Sequence, residues 1–432
     1  MLTPEIGRVH YLRADPRLNT SATVHARSGE RLVTLDLIRG VAVLGILAIN
    51  IAGFAGPTVG TSTPDWPHPA GTLNEAAFAL GLVFFEGKMR ALFSMLFGAG
   101  LALFTERMTA AGRDAEQLQI RRLFWLIGFG FAHYVLLWWG DILFVYGVCG
   151  LCVLVISQQP ERRLLPIALA IFILWHLWGL AAELPDAWAE QALASGSASA
   201  SQITFVEGWQ SRALAWMAQE NAEAHLPWLT QIGTKLSERP LWQIDMLSSI
   251  AGETIPLMLI GMAAYRSGIL QSVRRRLLLW SGLALTLAGL APTLGFAIWA
   301  WRHGFPPLAM RAALDAGLAL PNLLAATGYG LLLIVASPAL AKTRIGHRLI
   351  AAGRTAFSNY LGTSIVMTVL FQGWGGDLFG RIGAAGQWLF VLAAWTAMLI
   401  WSPLWLIRWR RGPFEWAWRS LTEKKFLSNR LK

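Results

Sequence analysis

Charge is what this chain has least of. Asp, Glu, Lys and Arg supply 14% of its 432 residues against 55% hydrophobic ones, and a mean hydropathy of +0.48 leaves too little polar surface for a soluble protein of this length. Cysteine is scarcer still. Cys149 and Cys152 form a C-x-x-C, but one helical turn apart inside an apolar run, without partner ligands, they read as small packing residues and not as a zinc or redox motif. Missing too are a Walker loop, an H-E-x-x-H and a dinucleotide fingerprint, so no metal and no nucleotide hydrolysis are expected. Residues 1–30 contain no apolar h-region and read as a polar cytoplasmic arm, not a signal peptide.

What is present is a recurrence of apolar stretches long enough to cross a bilayer core, which takes about 20 helical residues. Ten such segments fall near 33–55, 76–106, 121–139, 142–158, 164–182, 248–266, 277–301, 319–341, 358–375 and 384–407. The expected fold is therefore all-α, a polytopic membrane helical bundle. Its basic residues alternate in density along the chain. One side receives those of 8–31, 107–122, Arg162 and Arg163, 266–276, 342–354 and 408–432, while the other receives only Arg212, Lys235, Arg239, Arg302, Arg311 and Arg381. The positive-inside rule then makes both termini cytoplasmic. An excess of 36 Lys+Arg over 25 Asp+Glu thus reflects topology, with lipids as surroundings and no nucleic-acid partner.

These spans divide the chain into the arm 1–30, an N-terminal membrane half 31–182, an extracytoplasmic loop 183–247, a C-terminal membrane half 248–411 and a basic tail 412–432. Within the loop, the Ala-Ser run at 193–201 reads as flexible and 203–220 as an amphipathic interfacial helix. The second span carries Glu86-Gly87-Lys88-Met89-Arg90 in its middle and is too long for one crossing. Residues 73–86 are expected to lie along the outer interface or to re-enter, with 89–106 crossing.

The first span, Leu35 to Asn50, brings Asp36, Arg39 and Asn50 into an apolar helix. A charge at the centre of a membrane helix costs about 2.5 to 3.5 kcal/mol on insertion scales, so such groups face protein and mark a site or pathway. Arg39 and Asn50 are eleven residues apart, about three turns and roughly 16 Å along one stripe. Asp36 and Arg39, at i,i+3, read equally as a structural ion pair and as a binding site for an anionic group from the cytoplasm.

Other polar groups recur in the remaining spans. Glu86, Lys88 and Arg90 read as a clamp for a phosphate, carboxylate or lipid head group, or, for Lys88, as a snorkelling anchor. His133 lies some six residues before the turn at Trp139-Gly140, at a depth comparable with Asn50, so the two are expected to share one externally open cavity. A neutral imidazole there accepts a proton near pH 7; the plainer reading is a core histidine bonded to a backbone carbonyl. Asp141 either orients His133 across the hairpin or caps the following helix.

Four blocks carry a resemblance: Leu35–Asn50, Glu86–Gly100, Gly140–Tyr146 and Ala352–Leu361. In this order, covering roughly 31–415, they resemble the bacterial YeiB family of uncharacterised membrane proteins, which implies a multi-pass protein of the bacterial inner membrane. More distantly, the first block is similar to the first helix of transmembrane acyltransferases, both polysaccharide O-acetylases and relatives of heparan-glucosaminide acetyltransferase. The O-acetylases have a catalytic His eleven residues after the Arg, where this chain has Asn50, whose amide has no basic lone pair. The heparan-type relatives also have Asn there and carry their His in the segment just after the first helix; His68, within Asp65-Trp66-Pro67-His68-Pro69, is the histidine of that loop.

The resemblance implies acyl transfer from an activated cytoplasmic donor, acyl-CoA, to a hydroxyl or amine of an envelope carbohydrate or lipid. His133 and His68 are then alternative bases, and Asp36, Arg39, Asn50, Glu86, Lys88, Arg90 and Asp141 are binding residues. A transporter or permease for a small anion or lipid uses the same buried charges differently, although no repeat relates the two halves of the chain. A non-catalytic envelope assembly factor is the third reading.

Overall fold

The computed structural model describes residues 16–431, and every regular element among them is helical; an isolated antiparallel bridge joins Trp409 to Arg430. Most of the arm expected at 1–30 lies outside the described residues or is described by backbone alone. In chain order the helices are α1 (Pro16–Ala55), α2 (Thr72–Phe84), α3 (Lys88–Ala110), α4 (Ala115–Leu136), α5 (Leu143–Ile156), α6 (Glu161–Ala194), α7 (Ala200–Ala224) and α8 (Trp228–Glu238). They continue as α9 (Trp242–Arg266), α10 (Arg275–Arg302), α11 (Pro307–Ala312), α12 (Ala319–Leu340), α13 (Arg344–Arg354), α14 (Ala356–Phe371), α15 (Ala384–Arg408) and α16 (Pro413–Glu423).

Six helical stretches among the described residues are long and apolar enough to cross a membrane: Leu32–Ala55 of α1, and α6, α9, α10, α12 and α15. Helices α5 and α14 are apolar but shorter, whereas α3 and α4 are long but carry charges such as Arg90, Glu106, Arg121 and Arg122. This is a membrane protein by length and composition of its helices.

Helix α1 runs through the middle, packing against α3, α12, α13, α14 and α15. Its contact with α13 is backbone to backbone. A Cβ at Gly40 would lie 2.0 Å from the Leu349 carbonyl oxygen, and one at Gly353 would lie 1.8 Å from that of Asp36. Only glycine permits the approach, and it brings Arg354 beside the Asp36–Arg39 turn.

The second apolar stretch breaks where its charges fall. Helix α2 ends at Phe84, Gly87 takes φ +70°, and α3 starts at Lys88, so Thr72–Phe84 is a separate helix packed on α10 and α15. The segment 183–247, expected to be a loop with a flexible run at 193–201 and a helix at 203–220, is helical through most of its length, and α7 contains the expected helix. Helix α6 continues through Pro185 to Ala194, and the Ala-Ser run is a short turn ended by a capping box between Ser199 and Gln202. Helix α7 is pinned back to the segment after α1 by Glu220, which accepts from Thr58 N at 2.9 Å and Thr58 Oγ1 at 3.2 Å.

Candidate functional site

Two cavities lie end to end along α1. The first, about 210 Å³, lies at the end of the bundle that carries α13 and α16, and Arg39, Arg122 and Arg354 line it beside Glu415 and Trp418. Arg39 is held by Asp36 at 2.8 Å. The Arg122 guanidinium lies between the rings of Phe104 and Trp418, 4.9 and 4.3 Å from their centroids. Arg354 reaches the Arg410 carbonyl at 3.4 Å. Glu415 is spoken for by the start of α14, where its carboxylate accepts from Phe357 N at 2.7 Å, Ser358 N at 3.0 Å and the Ser358 hydroxyl. Burial pushes its carboxyl above the ordinary range against those bonds. Three cations from three helices therefore converge on one cavity whose nearest carboxylates are already engaged.

The second cavity, about 270 Å³, opens toward the opposite end, and Asn50, Glu86, Arg90, Asp141, Arg311 and Asp315 supply its polar lining. Arg90 is paired with Glu253 at 2.8 Å, and Arg311 with Glu183 at 3.4 Å. Trp138 and Trp139 add aromatic walls. Ile46, Ile142 and Tyr146 line both cavities, so one layer of side chains separates them.

Arg39 and Asn50 are thus not in one cavity, as a single stripe suggested, but in two. Their roughly 16 Å separation along α1 spans the layer at Ile46. The sequence-predicted pair Asn50 and His133 is also divided. Asn50 lines the second cavity, while His133, 3% exposed, lines neither, because the last turns of α4 face α5 and the ring of Tyr360, 5.2 Å away.

What His133 meets is Asp141, Nδ1 to Oδ1 at 2.9 Å, with both side chains wholly buried. The other oxygen of Asp141 accepts from Phe144 N at 2.8 Å, so one carboxylate both orients the histidine and caps α5. The other ring nitrogen, Nε2, is buried and has no hydrogen-bond partner among the described residues. His176 illustrates the plainer arrangement, its Nδ1 bonded to the Phe172 carbonyl at 2.8 Å. The hairpin closes this tightly because of Gly130, whose Cβ would fall 2.2 Å from Phe144 N and 2.6 Å from Asp141 Oδ2.

Lys88 is not part of a clamp. It is 0% exposed and donates to the carbonyls of Leu82 and Glu86, each at 3.1 Å, and to Asn322 Oδ1 at 2.8 Å, which fixes the α2–α3 break against α12. Snorkelling is equally ruled out for it. Glu86 and Arg90 do reach the second cavity. His68 is exposed in the segment before α2 and lines neither cavity, and Asp65 caps Ala70 N at 2.9 Å instead of orienting it.

Arg122, Arg354, Arg311, Asp315, Glu253 and Tyr146 are the residues that sequence reasoning left out of the site. Arg122 and Arg311 counted only as topology signals, and Arg354 as one of those and as part of the block Ala352–Leu361. Tyr146 closes the block Gly140–Tyr146, so its neighbourhood was marked although its position was not. Outside the apolar helices, Lys235 of α8 caps the end of α4, donating to the carbonyls of Tyr134 at 3.1 Å and Leu137 at 3.2 Å. Burial lowers its ammonium to about 8.

The family described as "Protein of unknown function (DUF418)" matches residues 264–425. The protein named YeiB of Escherichia coli (strain K12), described as uncharacterised, is 31% identical over 409 residues, covering 91% of this chain and 96% of its own. YxaH of Bacillus subtilis (strain 168), also uncharacterised, is 29% identical over 424 residues, covering 91% of this chain and 95% of its own. No solved structure matches.

Proposed function

This chain belongs to the YeiB-like family, and from that premise and its two cavities we propose that it is a membrane-embedded acyltransferase of the bacterial inner membrane. Ten helices cross in this reading: α1, α3, α4, α5, α6, α9, α10, α12, α14 and α15. Both termini, with α13 and α16, face the cytoplasm, as the distribution of basic residues requires. The observation that carries the function is the back-to-back arrangement of the cavities across Ile46, Ile142 and Tyr146. A donor and an acceptor meet there without either crossing the membrane.

The inner cavity suits a donor with phosphates at its mouth and an uncharged arm within, as acyl-CoA has. Arg39, Arg122 and Arg354 bind the anionic end, and guanidinium groups favour phosphate through paired N–H donors. The outer cavity takes a hydroxyl or amine of an envelope carbohydrate or lipid among Asn50, Glu86, Arg90 and Asp315. The His133–Asp141 pair accepts the acceptor's proton through Asp141, its member on the outer cavity wall, as the acceptor attacks the acyl carbonyl, then returns it to the leaving thiolate.

The test is thiol release from acetyl-CoA by detergent-purified protein supplied with an envelope glycolipid extract. The reading expects turnover that is lost in His133→Ala and kept in His68→Ala. Loss in His68→Ala alone moves the base to the loop. Absence of thiol release from acetyl-CoA, together with uptake of a labelled anion by proteoliposomes, replaces the reading with transport.

A further inference from the structure

We infer that Tyr146 donates the hydrogen bond that holds and polarises the acyl carbonyl during transfer, an inference that rests on the acyl-transfer reading. Of the three side chains that line both cavities, two are isoleucines. Tyr146 alone of them has a polar side-chain atom.

Its position is fixed from two sides. The ring, 1% exposed, packs against Phe97 at 5.2 Å and Phe93 at 5.8 Å between centroids, and its hydroxyl lies 2.7 Å from Ser94 Oγ. All three partners come from two turns of α3. Tyr146, at the start of α5, also sits five residues after Asp141, whose carboxylate caps that helix at Phe144 N.

The hydroxyl pair has a specific chemical capacity. Each hydroxyl has one proton and two lone pairs. When Ser94 donates to the phenol oxygen, the phenol proton is left free for another acceptor. Packing alone does not call for this pair, because phenylalanine fills the same ring space without the cost of burying two hydroxyls. A donor preorganised in a dry layer stabilises charge that develops on a carbonyl oxygen far better than water does.

The step balances without an added reagent. The acceptor oxygen or nitrogen forms a bond to the carbonyl carbon and gives its proton to the His133–Asp141 pair at Asp141, which lines the outer cavity. The carbonyl π electrons move onto oxygen, where Tyr146 bonds to them. They then return as the carbon–sulfur bond breaks, and the sulfur leaves with that bond's electron pair and takes the proton from the His133–Asp141 pair. Tyr146 is neither ionised nor consumed.

The experiment compares wild type with Tyr146→Phe for thiol release from acetyl-CoA, binding of coenzyme A and thermal midpoint in detergent. The inference expects unchanged coenzyme A binding, a midpoint lowered only by leaving the buried Ser94 hydroxyl unpaired and a KM within about twofold, with kcat lower by about 10²- to 10³-fold, the usual effect of removing one such donor. Wild-type kcat in Tyr146→Phe overturns the inference and leaves acyl transfer standing. Absence of thiol release from the wild type overturns acyl transfer itself, and this inference with it. Should Tyr146→Phe not purify as folded protein, Ser94→Ala gives the same reading: a fall in kcat of about tenfold or more supports the inference, and wild-type kcat contradicts it.

Discussion

His133 and Asp141 form a wholly buried pair, Nδ1 to Oδ1 at 2.9 Å, in which the second carboxylate oxygen caps α5 at Phe144 N. Removing the charge while keeping the cap separates the two jobs. Asp141→Asn retains a side-chain oxygen for Phe144 N, so the thermal midpoint stays near wild type. Thiol release from acetyl-CoA falls by about 10²- to 10⁴-fold, the range for losing a general base's contribution. Asp141→Ala loses both jobs. It lowers stability by about 0.5 to 2 kcal/mol for the cap alone, read as a lower midpoint in detergent.

The same pair depends on the approach of α4 to α5. Gly130→Ala puts a methyl 2.2 Å from Phe144 N, where backbone must move. A cost of about 1 to 3 kcal/mol is expected for such overpacking, with loss of activity exceeding what the lowered stability explains. Thermal unfolding and thiol release, measured together, check this.

The inner mouth gives a binding prediction. Arg122→Gln and Arg354→Gln each remove a cation from the cavity that also holds Arg39. Hydrogen bonds to charged groups contribute about 1.5 to 3 kcal/mol, so each change weakens coenzyme A binding by about 10- to 100-fold. Calorimetry in detergent at fixed ionic strength reads it. The Asp36–Arg39 contact at 2.8 Å leaves Arg39 partly neutralised, and Arg39→Gln is expected to weaken binding less than Arg122→Gln.

Lys235 gives the pH dependence. Burial lowers its ammonium from the ordinary lysine value of 10.5 to about 8. Below about pH 8 the lysine is charged both folded and unfolded, and the folded state bears the full cost of burying that charge. Between about 8 and 10.5 the unfolded chain binds the extra proton, so this group's contribution to stability rises with pH. The midpoint difference between wild type and Lys235→Met therefore shifts in favour of wild type across that window. A flat difference contradicts the assignment.

Depth along a helix was legible in the sequence, because rise per residue is fixed. Arg39 and Asn50 do lie on one helix at two levels, and the hairpin partners His133 and Asp141, eight residues apart, do meet. Walls made by distant elements were not legible. Arg354 reaches the inner cavity through the Gly40–Gly353 contact, and the partner of Lys88 is Asn322, 234 residues further along. The Ala-Ser run looked flexible from composition, but Ser199 and Gln202 form a cap that lets two long helices meet in a short turn. Small polar residues mark both linkers and helix starts.

Everything functional here rests on the two cavities being the donor and acceptor sides of one layer of side chains at Ile46, Ile142 and Tyr146. An experimental structure with saturating coenzyme A tests it most directly. The account predicts the phosphates at Arg39, Arg122 and Arg354 and the sulfur within reach of Tyr146. Coenzyme A bound elsewhere, or an inner cavity left empty at saturation, contradicts it.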